Sequence, residues 1–456
     1  IAMASPRTSV LLEAGTNDEL ILGGKGADDH GTVVKVVENL SNPESGMLAQ
    51  IASDYNTCYQ VGDIKLATLS DTDTTNANPS ELISNGDFSN GTTGWTAQLG
   101  ANLSVSSGQL TVVSTGANSL AYQYFTADLT KSYTLKVTVV SGSGALLTGG
   151  YNSGTLSAGT YTINMNAGRA NNKLDVTPPT NGTIVVDNIS IKLAEQDRSW
   201  NGKGLEVFGT VTKTAVATGA ELVGYSFGSN ANYLEQPYNS DLDFGTGDFS
   251  AMCWVKPDAS MSAYPSIVDR YVSANNESTA WLLKIAEGTS SYYFYSNNTS
   301  IITATGKVTF GVWQQVVAVR RSGVLYFYIN GKLEETGAMT HSITSSGAKL
   351  KVSKDATHHL GNSNLALLRV SGTAPSEEQI KKMYNDEKHL FATNAKATLY
   401  GTSNAVTALA YDDSTELLHV GTSAGRSEFQ GLNRVNNTTD AVGTAISASN
   451  GFIVEE

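Results

Sequence analysis

The chain has 456 residues and a formal net charge of −13, with 42 acidic and 29 basic side chains. No run of Lys and Arg occurs, and a nucleic-acid-binding surface needs such clusters to displace counterions, so we expect no nucleic-acid partner. No apolar run reaches the roughly 18 residues that a membrane-spanning helix requires, so we expect no membrane insertion. The length predicts several domains, and 44 glycines with only 9 prolines are typical of many short strands joined by polar turns.

Two cysteines, Cys58 and Cys253, fall in different predicted domains. A disulfide framework is therefore not expected, and each thiol is predicted to be a small buried or partly buried side chain. The first residues lack the charged start and long apolar core of a secretory signal. Because the chain begins with Ile1, we expect it to be a piece of a longer polypeptide.

The two ends of the chain, residues 1–75 and 393–456, carry short strand-like runs between Gly-rich turns. Leu11–Gly23 and Leu409–Gly421 share one plan: two apolar residues, a polar turn, two strand residues of one face, then Gly. This plan is typical of β-propeller blades, although any two β-hairpins look alike in this way. We predict propeller-like β-hairpin segments at both ends.

The next region, residues 76–196, has motifs at both of its ends. It opens with NGDFSNGTTGW, closes with VVDNISIKL, and alternating strands lie between. These motifs resemble the galactose-binding-like jelly roll of family 4/9-type carbohydrate-binding modules, over about residues 81–193. The resemblance implies a sugar-binding β-sandwich, and it implies calcium where the first and last strands meet, with Asp187 and Glu81 as metal ligands.

Residues 197–219 contain one short strand and are predicted to be a linker. The following region, 220–392, contains two alternating runs, Val316–Arg320 and Val324–Ile329, joined by a short turn as in an antiparallel hairpin. The second run ends in Asn330-Gly331, which favours an immediate reversal of the strand.

Three motifs of this region occur in the order found in one family: YLEQPYNSDLDFGTGDFSAMCWVKP, WQQVVAVRRSGVLYFYINGKL and LALLRVSGTAPSEEQIKKMYNDEKHLF. Over about residues 220–391 the chain therefore resembles the laminin-G-like jelly roll of the concanavalin-A-like lectin/glucanase superfamily. In the last motif, Ser376 and Gln379 form a capping-box pattern ahead of an apolar helical face that extends to about Leu390.

The glucanases of this fold take their catalytic acids from one strand, as E-x-D-x-x-E or E-x-D-x-E, and no such spacing occurs here. Acids such as Glu334-Glu335 and Asp412-Asp413 are adjacent pairs whose side chains would point apart. The six histidines show no metal-ligand spacing, and no Ser/His/Asp or Cys/His arrangement suggests a nucleophile. We therefore predict a protein without enzymatic activity.

Binding chemistry remains, since aromatic faces stack on sugar C–H surfaces and polar side chains hydrogen-bond the hydroxyl groups. Within SYYFYS, Tyr293 and Tyr295 share one strand face and the two other aromatic residues share the opposite face. Because one of these faces must be core, at most half of this cluster can meet a ligand. The predicted ligand-binding residues are Trp95, Tyr122, Tyr124 and Tyr151 in the first jelly roll, and Trp281, Tyr293, Tyr295 and Asn297 in the second.

The sequence thus predicts an all-β protein with two tandem jelly-roll sandwiches, propeller-like hairpin repeats at both ends and one short helix after the second sandwich. The combination of DIKLATLSDTD, two jelly rolls and then AVTALAYDDSTELLHVGTSAGRS resembles large structural proteins of marine bacteriophages. This implies a virion location, such as a tail fibre, with host surface glycans and other virion proteins as partners and with homo-oligomers as one assembly state. Two alternatives stay open: a bacterial secreted or cell-surface polysaccharide-binding adhesin, and a purely structural virion component.

Overall fold

The computed structural model describes most of the chain between residues 62 and 440. The described ranges are 62–127, 132–148, 151–166, 171–199, 202–261, 264–271, 280–286, 288, 290–355, 358–396, 406–412, 414–430 and 433–440; outside them only six short strands are placed. The chain divides into two compact units. The central unit comprises residues 60–214 and 223–374, and the terminal unit comprises 1–59, 215–222 and 375–456.

The first four strands belong to the terminal unit and form an antiparallel sheet in sequential order. They are β1 (Leu12–Ala14), β2 (Leu20–Leu22), β3 (Thr32–Val36) and β4 (Leu48–Ala52). The central unit then begins with β5 (Ile64–Thr68). Cys58 lies outside the described residues.

The next ten strands form the first sandwich. They are β6 (Thr96–Gln98), β7 (Asn102–Ser106), β8 (Gln109–Val113), β9 (Leu120–Thr126), β10 (Ser132–Gly142), β11 (Ala145–Thr148), β12 (Tyr151–Asn152), β13 (Gly159–Asn166), β14 (Asn171–Thr177) and β15 (Thr183–Glu195). One sheet has the order β13–β10–β15–β8–β7 and the other has the order β12–β11–β14–β9–β6. Alternating side chains, such as Leu135 and Val137 of β10 facing Leu174 and Val176 of β14, fill the core between the sheets.

The second sandwich has fourteen strands of its own. They are β16 (Leu205–Phe208), β17 (Thr212–Ala215), β18 (Val223–Ser226), β19 (Tyr233–Gln236), β20 (Phe249–Lys256), β21 (Ser266–Tyr271), β22 (Trp281–Ala286), β23 (Ser291–Ser296), β24 (Thr299–Ala304), β25 (Gln314–Arg321), β26 (Val324–Ile329), β27 (Lys332–Ala338), β28 (Lys349–Val352) and β29 (Asn364–Ser371). One sheet runs β16–β19–β28–β21–β22–β23–β24. The other runs β17–β18–β29–β20–β25–β26–β27, and β5 adds to it by pairing with β29.

The chain ends in the terminal unit. Its elements are α1 (Glu377–Glu387), a short 3-10 helix (Lys388–Phe391), β30 (Val406–Asp412), β31 (Leu417–Thr422), β32 (Gly425–Gln430), β33 (Asn433–Thr438), β34 (Ala448–Ser449) and β35 (Phe452–Ile453). Strands β30 to β33 form a second sequential antiparallel sheet. Both ends thus contain four-stranded meanders, and their assembly as propeller blades stays a prediction. Within the described part of the chain no helix is long and apolar enough to cross a membrane.

The fold class of the central region is confirmed, with two β-sandwiches and one short helix after the second. The predicted hairpin is present, since Arg321 of β25 pairs with Val324 of β26. Asn330 and Gly331 both have positive φ angles, 53° and 73°, as the immediate reversal into β27 requires. The capping box is also present, because Ser376 Oγ accepts from the Gln379 amide and Gln379 Oε1 accepts from the Ser376 amide.

The structure differs from the sequence prediction at the linker between the sandwiches. The end of β15 pairs with β16, so a single 12-stranded sheet passes through both sandwiches. Residues 197–219, the predicted linker, contribute β16 and β17, and β5, from the predicted N-terminal segment, joins the second sandwich. The physical reason is burial: Leu66, Leu205 and Val207 lie in the second core at 0–2% exposure, which a solvated linker would not allow.

Candidate functional site

The outer side of the five-stranded sheet in the first sandwich holds a cluster that we call the β9–β14 face: Gln98, Tyr122, Tyr124, Lys173 and Asp175. Strand alternation produces it, because Ala121, Gln123 and Phe125 of β9 point inward and are buried. Cross-strand register then aligns the outward residues. Lys173 lies opposite Tyr124, and Asp175 lies opposite Tyr122.

The two tyrosines of the β9–β14 face form an exposed aromatic corner. Their ring centroids lie 5.3 Å apart with an interplanar angle of 76°. Tyr124 is 64% exposed, whereas Tyr122 is half-buried beneath Lys173, whose Nζ lies 4.7 Å from the Tyr122 ring centroid. The exposed Tyr124 ring can stack on an apolar ligand surface, and Lys173 holds the neighbouring ring in place.

Polar groups adjoin this corner. Lys173 Nζ donates to Gln98 Oε1 at 2.9 Å and forms an ion pair with Asp175 Oδ1 at 3.0 Å. Partial burial raises the pKa of Asp175, an effect that Lys173 opposes. The face therefore combines one exposed ring with a carboxylate, an amide and an ammonium group, which together can both accept and donate hydrogen bonds. This combination suits a polyhydroxylated ligand.

A second group, the Tyr264 cluster, lies on the outer side of the second sandwich and contains Tyr264, Lys284, Tyr293, Asp355 and His358. Tyr264 is 51% exposed, and its ring lies 6.4 Å from Tyr293 and 6.0 Å from His358. Asp355 Oδ2 pairs with Lys284 Nζ at 2.6 Å and with His358 Nδ1 at 3.3 Å. The sequence prediction included only Tyr293 of this set. The others come from distant segments, and no local motif marks them.

Two further predicted ligand residues, Tyr295 and Asn297, lie at the end of β23 and in the turn that follows it. Tyr295 is half-buried and packs against Tyr271, Ala280 and Leu282. Asn297 occupies the tight turn between β23 and β24 with a φ of 51°, so its exposed side chain lies at a hairpin tip.

Tyr151 is half-buried against the first core. Its burial raises the pKa of the phenol group. Tyr151 of β12 pairs with Thr148 of β11 and so lies on the same side of the sheet as Thr148. The preceding residue, Leu147, pairs with Asp175 and lies on the other, outer side. Tyr151 is therefore not part of the β9–β14 face.

Trp95 and Trp281 require correction, because both indoles are buried. Trp95 is 6% exposed; its ring packs 5.6 Å from Phe88, and its Nε1 donates to the Asn85 carbonyl. Trp281 is 0% exposed and lies parallel to Phe294 at 6.2 Å in the second core. In β22 the residues Trp281, Leu283 and Ile285 share the inward face, so Trp281 presents no surface to a ligand.

The two predicted metal ligands, Glu81 and Asp187, also have defined contacts. Glu81 accepts hydrogen bonds from the amides of Leu82, Ile83 and Ile191 and from the Ser190 hydroxyl, at 2.6–3.1 Å. Asp187 Oδ1 accepts from the next amide, that of Asn188, at 2.7 Å. Among the described residues, no group of three or more His, Cys, Asp or Glu side chains is arranged to hold a metal ion. Calcium at Glu81 and Asp187 stays a prediction, and it would compete with the hydrogen bonds of Glu81.

Comparison with known proteins places part of the chain in a family. Residues 228–381 match the family described as the concanavalin A-like lectin/glucanases superfamily, so this segment is a laminin-G-like domain of that superfamily. A search of curated proteins found no match.

Several solved structures are similar to the chain at low identity. Domain 4 of AbnA, a GH43 extracellular arabinanase from Geobacillus stearothermophilus, solved with arabinotriose, matches at 14% identity and a TM-score of 0.34, over 41% of this chain and 92% of that chain. The binding domain of Paraclostridial Mosquitocidal Protein 1 matches at 13% identity and a TM-score of 0.37, over 51% of this chain and 62% of that one. The botulinum neurotoxin serotype D binding domain matches at 14% and 0.36, over 52% and 60%. The chain thus spans about three fifths of the length of these two toxin domains.

Proposed function

We propose that the protein binds glycans without cleaving them and that the β9–β14 face is its principal sugar-binding surface. The observation that supports this most directly is the 64% exposed ring of Tyr124 beside the Lys173–Asp175 ion pair. Aromatic rings stack on the apolar faces of pyranoses, and the adjacent charged and amide groups hydrogen-bond the hydroxyls. The Tyr264 cluster also contains two tyrosines, a lysine and an aspartate, and it is the candidate for a second contact.

The acids of the second sandwich support a non-catalytic role. Glycoside hydrolysis requires two carboxylates on opposite sides of the scissile bond. On the outer side of this sandwich, Asp269 is 0% exposed and Asp355 is 4% exposed, and Asp355 is already paired with Lys284. Both carboxylates are buried and Asp355 is held by Lys284, which does not favour their use as a catalytic pair.

For the biological setting, we propose a phage virion protein, such as a tail fibre, that attaches to host surface glycans. Two sandwiches joined through one sheet, as β15 and β16 join them, suit a rigid surface structure. A secreted or cell-surface bacterial adhesin with the same modules is the alternative, and a purely structural virion component is a third. Detecting the chain by mass spectrometry in purified virions, rather than in a bacterial secretome, would separate the adhesin from the two virion roles.

A glycan array tests the binding proposal. We expect the full chain to be retained on a subset of bacterial surface glycans and expect Tyr124→Ala to weaken retention at least about tenfold, equivalent to about 1.4 kcal/mol. Tyr411→Ala, at a ring that is 39% exposed elsewhere in the chain, is the matched control and should bind as the wild type does.

Two outcomes would contradict this assignment. Wild-type retention by a Tyr122→Ala/Tyr124→Ala double variant would remove the β9–β14 face from the binding surface. If Tyr264→Ala then reduced retention on the array, the Tyr264 cluster would be the binding surface instead. Absence of retention on any glycan would favour the purely structural role.

A further inference from the structure

A polar cavity of about 330 Å³, which we call the junction cavity, lies in the central unit where β15 leaves the first sandwich. Its charged lining consists of Asp71, Asp73, Glu195, Arg198 and Lys213. The segment after β5, the end of β15 with the residues that follow it, and strand β17 supply these side chains. The cavity shares no residue with the β9–β14 face or with the Tyr264 cluster.

Glu195 is the most unusual group in the junction cavity. Its side chain is buried, with the residue 8% exposed, and its Oε1 accepts a 2.8 Å hydrogen bond from the hydroxyl of Tyr225, which is itself 0% exposed. No other hydrogen bond reaches the Glu195 carboxylate from the described residues. Burial raises the pKa of Glu195 to about 7, against the opposing effect of Lys213. The second carboxylate oxygen of Glu195 is therefore available to a hydrogen-bond donor in the cavity.

Apart from Glu195, the charged lining of the junction cavity balances, with two acidic and two basic side chains. Asp71 Oδ2 accepts from Lys213 Nζ at 2.6 Å, and Arg198 lies 3.7 Å from Asp71 Oδ1. Lys213 is buried, with 4% of its side chain exposed, so its ammonium group is fixed beside the cavity. A small cation next to Glu195 would be repelled by Lys213 and Arg198, and an anion would be repelled by Asp71 and Asp73. Balanced donors and acceptors of this kind suit an uncharged ligand with several hydroxyl groups.

We propose that the junction cavity is a second binding site, for a neutral polyhydroxylated ligand the size of one sugar ring. Its volume is at the lower end of the roughly 300–1,000 Å³ typical of small-molecule pockets. One ligand hydroxyl donates to the open oxygen of Glu195, and others accept from Arg198 or Lys213. The ligand is either a free sugar or a terminal residue of a longer glycan, and the two share this chemistry. This site does not depend on the proposed sugar binding at the β9–β14 face.

The affinity of the junction cavity for its ligand should depend on pH. Asp71, Arg198, Lys213 and the Tyr225 hydroxyl face Glu195 from the neighbouring elements. An ionised carboxylate accepts a stronger hydrogen bond from a hydroxyl group than a neutral one does. Affinity should therefore increase as the pH rises from about 6 to about 8, through the pKa of Glu195 at about 7.

Isothermal titration calorimetry on the full chain tests the site, with methyl glycosides of common hexoses and myo-inositol as probes and short oligosaccharides as a second arm. For at least one probe we expect a saturable binding event, with one site per chain, whose affinity depends on pH. Thr75→Trp should weaken it at least tenfold, because Thr75 is an exposed residue that lines the cavity and the indole would fill the opening. Thr74→Trp, also exposed but not part of the lining, is the matched control and should bind as the wild type does.

Two further variants distinguish binding at the junction cavity from binding at the β9–β14 face. Glu195→Gln should weaken the pH-dependent binding at the junction cavity and abolish its pH dependence, whereas Tyr122→Ala/Tyr124→Ala should remove only binding at the β9–β14 face and leave the pH-dependent binding in place. Binding of the methyl glycoside identifies a site for free sugar; binding of the oligosaccharide alone identifies a site for a glycan terminus. No saturable binding by the wild type, equal binding by Thr75→Trp, or loss of the pH-dependent binding in the double tyrosine variant would overturn the proposal. If the array retains no protein but calorimetry still detects binding, only the proposed function of the β9–β14 face is refuted.

Discussion

Glu81 Oε1 accepts a 2.9 Å hydrogen bond from the main-chain amide of Ile191, which lies 110 positions later in the chain. The same carboxylate accepts from the Ser190 hydroxyl, and the main chain of Glu81 forms an isolated bridge with Lys192. One side chain therefore fastens the entry of the first sandwich to β15, the strand that also connects to the second sandwich.

Replacing Glu81 should loosen this connection. We expect Glu81→Ala to lower the free energy of unfolding by about 1–2 kcal/mol, because several amide and hydroxyl donors lose their acceptor at a partly solvated site. Glu81→Gln retains one acceptor oxygen and should lose less. Thermal unfolding of the full chain measures both. A lower melting temperature in EDTA for the wild type but not for Glu81→Ala would show instead that the carboxylate holds a divalent cation such as calcium.

Trp281 provides a test of the core assignment. Trp281→Ala removes a fully buried indole that packs against Phe249 and Phe294, so we expect a loss of about 3–5 kcal/mol. Tyr264→Ala, at an exposed ring of the same sandwich, should change stability by no more than about 0.5 kcal/mol. Denaturant unfolding followed by fluorescence compares the two. A Trp281→Ala protein as stable as the wild type would place the indole outside the core.

Glu195 should make stability depend on pH. Its pKa is raised from 4.5 to about 7 in the folded chain, so between these values the folded state binds more protons than the unfolded state. Stability therefore falls as the pH rises through this window, by up to about 3 kcal/mol for this group.

Glu195→Gln isolates that contribution, since glutamine does not titrate. The variant should match the wild type near pH 4 and be the more stable protein near pH 8. Chemical denaturation at several pH values measures the free energy of unfolding of both proteins. The contributions of the other acids cancel in the difference between variant and wild type. A difference that does not vary with pH would contradict the raised pKa.

The thiol of Cys253 should be inert in the folded chain. It is 1% exposed, and burial raises its pKa to about 12, so very little thiolate forms at pH 8. We expect no iodoacetamide labelling of the Cys253 peptide in the native protein and complete labelling in denaturant, as read by mass spectrometry. Native labelling at the rate of a free thiol would show that the core opens at β20.

Local features were predictable because neighbouring residues determine them. The reversal at Asn330-Gly331 follows from two residues that tolerate positive φ, and the start of α1 follows from the reciprocal bonds of Ser376 and Gln379. The alternation in SYYFYS likewise predicted that Tyr293 and Tyr295 would share one face. These signals span no more than about six residues, so no tertiary contact is needed to interpret them.

The candidate sites could not be found in this way. From the sequence, Trp281 and Trp95 were predicted to stack on sugars. The prediction was wrong because an aromatic side chain suits a core as well as a binding surface, and the sequence does not distinguish the two. It left Tyr264, Asp355 and His358 unconnected because 91 positions separate Tyr264 from Asp355, and only strand pairing brings them together. The junction cavity was missed for the same reason, since residues near 71, 195 and 213 were predicted to lie in separate segments.

The sequence by itself determined that the protein is built of alternating strands and where several of them turn, since alternation and turn preference act over a few residues. Only the tertiary structure decided which face of each strand is buried, and therefore that Tyr124 is exposed while Trp281 is core. It also decided that β5, β16 and β17 belong to the second sandwich. The physical reason is that burial depends on which strand lies opposite, and that register is set by contacts between distant parts of the chain.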